Sequence, residues 1–345
     1  MTGRRPVLGP TVTLAHGGGG KAMHDLINEV FVRRFGSAGG REDQARLPLA
    51  DLQPLGDRLA FTTDSYVVDP LFFPGGDIGT LAVNGTINDL AMGGAVPIAL
   101  SCAIIAEEGL PIEVLERVAE SMRRAAAAAG VAIVTGDTKV VNRGAADKLF
   151  INTSGIGVIA AGVDIRAERA CEGDAVLVSG FLGDHGATIL NARGDLALDA
   201  AIKSDTCPLH GLVQAMIVVC PEIHCLRDAT RGGLATVLNE FAHAAGVSIE
   251  VQEEKLPIRE EVRGVCAILG LDPLYFANEG KLVALIPHEF ADAVLAAMRA
   301  HPMGIDSAII GEVRTTPPGV VTLRTRFGGE RIVDMLVGEQ LPRIC

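Results

Sequence analysis

A chain of 345 residues exceeds what one hydrophobic core usually serves, and 48% apolar with 21% charged residues is the profile of a folded globular protein of two domains. A formal charge of −12, with no run of Lys or Arg longer than two, argues against nucleic acid or another polyanion as a partner, and no stretch reaches the roughly 18 to 20 apolar residues of a membrane helix. No apolar leader is read in the first twenty residues, so the expected compartment is the cytoplasm, where seven cysteines are expected as reduced thiols and not as a disulfide framework.

In chain order, the first half reads as a strand over 59–69, a helix over 78–93 with polar residues on one side, and an alanine-rich helix over 114–130 ended by Gly130. A short strand over 131–135, a polar loop at Gly136 to Lys139 and a strand over 149–158 follow. After a turn-rich stretch near 162–173, the second half reads as a buried strand over 175–179 and a turn into a helix over 183–191. A helix over 229–245, a strand over 282–286 and a helix over 290–300 complete it. The expected division is 1–160, 161–337 and a mobile tail over 338–345 that contains Pro342 and carries Cys345.

Several segments bear chemistry. Ala15-His16-Gly17-Gly18-Gly19-Gly20-Lys21 sets bare backbone amides beside a lysine, which suits phosphate oxygens; Ala22 breaks the GxxxxGK[ST] pattern, so a Walker loop is excluded and a plain flexible loop stays open as the other reading. Asp64, Asp89, Asp137 and Asp228 each end an apolar segment beside small or hydroxyl residues; a lone Asp there is more often a helix N-cap, but four together point to hard ligands for Mg²⁺ and nucleotide phosphates. Glu279 and Lys281 in Asn278-Glu279-Gly280-Lys281, and Lys139 in Asp137-Thr138-Lys139, offer proton-transfer groups if brought together, although spacing alone favours ordinary ion pairs. Gly183-Asp184-His185-Gly186 suits an anion at a helix start, or a capped helix with a hydrogen-bonded histidine. The spacing of Cys220, His224 and Cys225 fits none of the usual zinc patterns. Six cysteines are expected to be structural; Cys345, on a tail without period, gains nothing from packing and is expected to act as a covalent carrier.

Taken together, the stretches Leu14 to Met23, Thr63 to Gly76, Gly136 to Val141, Gly183 to Ala187, Asp228 to Gly233, Phe276 to Lys281 and the ending Pro342-Arg343-Ile344-Cys345 carry a resemblance. They resemble the superfamily of ATP-dependent enzymes that includes aminoimidazole ribonucleotide synthetase and selenophosphate synthetase, and within it the carbamoyl dehydratases of hydrogenase maturation, the HypE family. The resemblance implies an α/β (α+β), two-domain PurM-like fold whose N-terminal domain closes a β-barrel with its copy in a homodimer, with ATP between the domains near the dimer interface. By the same resemblance, Asp64, Asp89, Asp137 and Asp228 hold Mg²⁺ and the triphosphate together with Thr138, while Gly17, Gly18, Gly19, Gly20 and Lys21 cover the phosphates. Lys139 and Glu279 become the pair that handles the proton of a carbamoyl nitrogen, and Cys345 the carrier. A carbamoyltransferase resembling HypF would load Cys345, ATP-dependent loss of water would leave a thiocyanate, and a complex resembling HypC and HypD would take cyanide for the iron of a nickel-iron hydrogenase.

Rival readings fare less well. A selenophosphate synthetase would carry a cysteine in the N-terminal glycine loop, and none precedes Cys102. An aminoimidazole ribonucleotide synthetase leaves the Pro-Arg-Ile-Cys ending unexplained, and a non-catalytic scaffold docking through its tail would not turn over ATP in a Cys345-dependent manner.

Overall fold

The computed structural model describes residues 8–36, 42–194, 201–338 and 343–345. The first half contains β1 (Arg58–Tyr66), a small hairpin of β2 (Phe72–Phe73) and β3 (Gly76–Asp77), then β4 (Ala95–Glu107), β5 (Ala132–Val141) and β6 (Leu149–Ile159). The four long strands form one sheet in the order β1-β6-β4-β5, with only the β4–β5 pair parallel. Two helices cover one face. Ile78–Met92 is capped by Asp77, which accepts the N–H groups of Gly79 and Thr80 at 2.8 and 3.0 Å. Ile112–Ala129 buries Ile112, Leu115, Val118, Ala119, Met122 and Ala126 at helical spacing and ends where Gly130 turns left-handed, φ 69°. The other face of the sheet leaves Leu59, Phe61 and Ile105 exposed at 62%, 70% and 41%.

The second half is a seven-stranded sheet ordered β13-β12-β9-β11-β7-β10-β8. Its strands are β7 (Ala175–Val178), β8 (Cys225–Asp228), β9 (Ser248–Gln252), β10 (Leu282–Ile286), β11 (Ala308–Arg314), β12 (Val321–Arg324) and β13 (Glu330–Ile332). Helices Gly233–Ala245 and Glu260–Leu269 fill one core, His210–Val219 and Ala291–Ala300 the other, so β7 and β10 are buried along their whole length. Cover on both faces explains why those two strands read as unbroken apolar runs.

The structure differs from the sequence reading in places. Gly136 to Lys139 is not a loop: it lies inside β5, where a side chain on Gly136 would meet the Cys102 carbonyl at 2.1 Å, so the glycine serves close strand approach and not a turn. The long β4 has no counterpart in that reading, because its apolar run lacks period 2 and contains Pro97, which the sheet accommodates with a register shift between Pro97 and Ala99. The second-half helix begins at Gly233, not at Ala229. Cys102, Cys220, Cys225 and Cys266 are buried, and the half-buried Cys207 and Cys345 also pack against hydrophobic cores, so Cys345 does gain from packing, contrary to expectation; Cys171 is exposed, and all seven are free thiols.

The helix Ile78–Met92 is buried almost all round and shows no polar outer side, because it is wedged between its own sheet and the second half. There Asn88 accepts the N–H of Leu209 at 2.7 Å and donates to the carbonyls of Cys207 and Glu279 at 3.1 and 3.4 Å. Asn84 donates to Thr206 Oγ1 at 3.2 Å. Of the ending, Pro342 lies outside the described residues, but Ile344 is 5% exposed and belongs to the core of the first half, so the segment expected to be mobile is docked here at its end. Asn88→Ala leaves buried backbone groups at this joint without partners and is expected to lower stability by about 1–3 kcal/mol, read as an earlier chemical-denaturation midpoint.

Candidate functional site

The joint between the halves gathers carboxylates. Asp64 lies near the end of β1 and accepts the Ser65 N–H at 2.7 Å; Thr62, two residues earlier, donates to Asp89 at 3.0 Å. Asp228 is the last residue of β8, opposite Leu282 of β10, and Glu279 precedes that strand. Glu279 is 3% exposed and its Oε1 has no hydrogen-bond partner. Burial raises the Asp89 pKa from 3.8 to about 6, with Asp64 adding repulsion. Burial, then Asp89, raises Asp228 to about 7. Burial, followed by Asp205, Asp228 and Asp64, holds Glu279 well above the carboxylate range. Carboxylates that raise each other's proton affinity in this way suit a bound divalent cation. A polar cavity of about 520 Å³ opens here, lined by Thr62, Asp89, Asp228 and the arginines Arg166, Arg227 and Arg231.

Asn278 explains why three separate motifs meet. Its Oδ1 accepts the Gly183 N–H at 2.7 Å, and its Nδ2 donates to Ala229 and Phe276 carbonyls at 2.8 and 3.1 Å. Gly233, at φ 58°, lies so close to this segment that a side chain would meet the Leu274 and Phe276 carbonyls at 2.5 Å, so only glycine lets the Thr230–Arg231 turn pack there. On the other side, Asp205 accepts the Glu279 N–H at 3.0 Å and stands 3.4 Å from Lys281 Nζ, with both side chains nearly closed to solvent.

The chain's last residues enter the same place. Val67 N–H donates to the Cys345 carbonyl at 3.1 Å and Asp69 N–H to that of Arg343 at 3.2 Å, extending β1 by strand-like pairing. Arg343 pairs with Asp69 at 3.2 Å and with Asp147, and Arg193 donates to the Arg343 carbonyl at 2.8 Å. His185, fully buried, contacts Ile344 O through Nε2 at 2.7 Å and Ser204 Oγ through Nδ1 at 2.8 Å. A carbonyl only accepts, so Nε2 carries the proton and Nδ1 accepts from the serine. Burial keeps this imidazole neutral by lowering its pKa. Cys345 lines a cavity of about 210 Å³ together with Val67, Arg231, Gly232, Tyr275 and Ala277. Burial, reinforced by the Glu279 carboxylate, pushes its pKa up, so it rests as a thiol.

The remaining site candidates lie elsewhere. Ser65, Asn152, Ala103 and Asp137 stand in one row across the sheet, from edge to edge. Three strand spacings separate Asp137 from the β1 edge, about 14 Å. Lys139 is tied to Asp137 at 2.8 Å on exposed surface, and does not meet Glu279 within the chain. Thr138 is buried beside them, and Gly17 packs on Val140, where a side chain would stand 2.8 Å from the backbone nitrogen. Gly18, Gly19 and Gly20 follow on the same edge, and Lys21 is paired with Asp25 at 2.6 Å, its side chain 84% exposed. The four aspartates therefore divide into three and one, and among the described residues no group of three or more His, Cys, Asp or Glu stands ready to hold a metal. His224 is bonded to Asp174 at 2.8 Å, while the Cys225 thiol donates to the Arg166 carbonyl. Sequence reasoning missed Asp205, which sits in no motif, and assigned no role to Arg231, Asn278 and Arg343, although each lay inside a quoted segment.

Known proteins match along the whole length. The AIR synthase related protein N-terminal domain matches residues 42–159, and the AIR synthase related protein C-terminal domain residues 171–324. The carbamoyl dehydratase HypE of Rhodobacter capsulatus is 59% identical over 334 residues, covering 97% of this chain and 98% of that protein. A crystal structure of hydrogenase maturation protein HypE in complex with ATP superimposes with a TM-score of 0.92 at 51% identity, over 97% of this chain and 100% of the other. A crystal structure of a HypE–HypF complex aligns with a TM-score of 0.78 at 48% identity, over 81% of this chain and 90% of that one.

The buried carboxylates carry a pH signature. With pKa values of about 6 and about 7 against 3.8 unfolded, Asp89 and Asp228 bind protons in the folded chain where the unfolded chain has released them. Their contribution to stability is fully present below about pH 4 and is lost as pH rises through 6 and 7. Thermal melts of the ligand-free protein should show this decline, and Asp89→Asn together with Asp228→Asn should flatten it.

Proposed function

Because this chain belongs to the HypE family of carbamoyl dehydratases, we propose that Cys345 carries the carbamoyl group on which it acts. The protein is an ATP-dependent carbamoyl dehydratase of hydrogenase maturation. The observation that supports Cys345 as carrier is its place with Arg231 on the wall of one cavity, with Glu279 of the carboxylate cluster among the groups that set its charge state.

The chemistry follows from what a thiocarbamate lacks. Its carbonyl oxygen is a poor leaving group, so that oxygen bonds to the γ-phosphorus of ATP as the bond to ADP breaks. The nitrogen gives up one proton, then a second as the carbon–oxygen bond breaks, and inorganic phosphate departs from a thiocyanate on sulfur. Glu279, with an unpartnered oxygen and a proton affinity raised by burial, is the base for those protons, and Lys139 assists. Mg²⁺ held by Asp64, Asp89, Asp137 and Asp228 would neutralise phosphate charge. The Gly17 to Lys21 loop and Thr138 close on the phosphates.

In this reading the protein works as a homodimer. The exposed apolar residues Leu59, Phe61 and Ile105 and the two unpaired sheet edges, β1 and β5, support a barrel closed by a second copy. With the two-fold axis along the barrel, β5 of one subunit meets β1 of the other. That meeting carries Asp137, Thr138, Lys139 and the glycine loop toward the other subunit's Asp64 and Glu279. Residues 1–160 then form the ATP-binding and dimerisation domain, 161–337 the second domain, and 338–345 the carrier tail. A HypF-like carbamoyltransferase loads Cys345, for which the docked ending must swing out, and a HypC–HypD-like complex receives the cyanide. No helix among the described residues is long and apolar enough to cross a membrane, and we assign the work to the cytoplasm.

Incubation with a carbamoyl donor and its transferase should leave an adduct on the C-terminal peptide that loses one water on addition of Mg-ATP. Cys345→Ala should keep ATP binding and show neither change, and an adduct on another cysteine would refute the carrier role. Glu279→Gln should load and bind ATP but dehydrate slowly, by about 10²- to 10⁴-fold. The shared site has its own test. Lys139→Ala and Glu279→Gln dimers should each be inactive, whereas subunits remixed in equal amounts should recover about a quarter of wild-type activity, since half the dimers are mixed and each holds one complete site. No recovery in verified mixed dimers would rule out a shared site.

A further inference from the structure

The 520 Å³ cavity holding Asp89 and Asp228 and the 210 Å³ cavity holding the Cys345 thiol are separate spaces, and Arg231 is the residue that lines both. Its surroundings set it apart from the other two arginines of the larger cavity. Arg166 is paired with Asp164 at 2.8 Å and Arg227 with Glu240, so their charges are already answered. Among the described residues Arg231 has no hydrogen bond and no ion pair, although Asp89, Glu279 and Cys345 all feel its charge. An exposed arginine without a salt bridge, on the wall of both cavities beside that many carboxylates, keeps its five donors available to a ligand.

We propose that Arg231 is a catalytic residue of the dehydration, binding the phosphoryl group as it passes from the nucleotide to the carbamoyl oxygen on Cys345. This rests on the dehydratase reading above and adds to it the group that answers the moving charge. In the first step the carbamoyl oxygen bonds to phosphorus, the phosphorus–oxygen bond to ADP breaks and the nitrogen loses a proton. In the second the carbon–oxygen bond breaks, the nitrogen loses its other proton and phosphate leaves. In both steps negative charge gathers on the phosphoryl oxygens in a site crowded with carboxylates, and a planar fork of N–H donors matches two of those oxygens at once.

The test uses full-length protein carrying the carbamoyl adduct on Cys345, mixed with Mg-ATP and followed by the mass of the C-terminal peptide. Arg231→Gln is expected to accept the adduct and to convert it at least about 10³-fold more slowly than wild type at saturating ATP. Arg231→Lys, which keeps charge but not the fork, should fall between the two, and guanidinium ion added to Arg231→Ala should restore part of the rate, which a purely structural role would not allow. Conversion of Arg231→Gln within about threefold of wild type would overturn the proposal, and so would a defect that vanishes at saturating ATP, since the residue would then only bind nucleotide. Failure of the wild-type adduct to lose water would overturn the dehydratase reading itself, and the proposal with it.

Discussion

The site depends on a joint in which the buried Asn88 satisfies three backbone groups of the opposite half. An amide in that position cannot slide: moving it by an ångström strands a buried donor or acceptor, at a cost of about 1–3 kcal/mol for each group left alone. Asp89 is the next residue, so its carboxylate is delivered against Asp228 and Glu279 with the same accuracy. Asn278 does the corresponding work within the second half, where one side chain joins the turn before the helix Asp184–Ala192 to the segment after β8. Two asparagines thus register elements far apart in the chain, with neither in reach of the chemistry itself.

What they register is electrostatically unfavourable. Asp64, Asp89, Asp228 and Glu279 are drawn together beside the larger cavity, and the proton affinities of the last three are raised first by burial and then by neighbouring carboxylates. A fold tolerates such a cluster when something bound relieves it. The positive groups nearby are arranged with the same bias: Lys281, Arg166 and Arg227 are each committed to a carboxylate, and Arg231 is left free for a ligand. The ending of the chain enters this field with Arg343 paired to Asp69 and Asp147, Ile344 in an apolar core and the Ile344 carbonyl on a neutral histidine.

The sheet of the first half keeps the candidate groups apart within one chain. Its edges are set by the strand order, and they hold different equipment: β1 leads into the Asp64 and tail side, β5 carries Asp137, Thr138 and Lys139 with the glycine loop packed against it. No side-chain rotation spans three strands. In the proposed homodimer a second copy would bring the edges together, and the exposed Phe61 and Leu59 offer apolar surface for that contact.

Much of this was legible in the residues. Composition and charge set the class, period and caps located the helices Ile78–Met92 and Ile112–Ala129, and the buried runs of β7 and β10 were readable because strands covered on both faces must be apolar throughout. The motifs around Asp64, Asp89, Asp228 and Glu279 could be picked out one by one, since carboxylates beside glycine and threonine are local features. Which of them meet was not, because distance between residues far apart in sequence is decided by strand order and domain packing. Hence Asp137 and Lys139 stood with the others on the page and stand at the far edge in the fold, and Asp205, in no motif at all, lies against Glu279. The sequence alone determined the chemical groups available, through local patterns that backbone sterics and burial enforce. Only the tertiary structure decided their company, because burial, repulsion and the seat of Cys345 are properties of space and not of order along the chain.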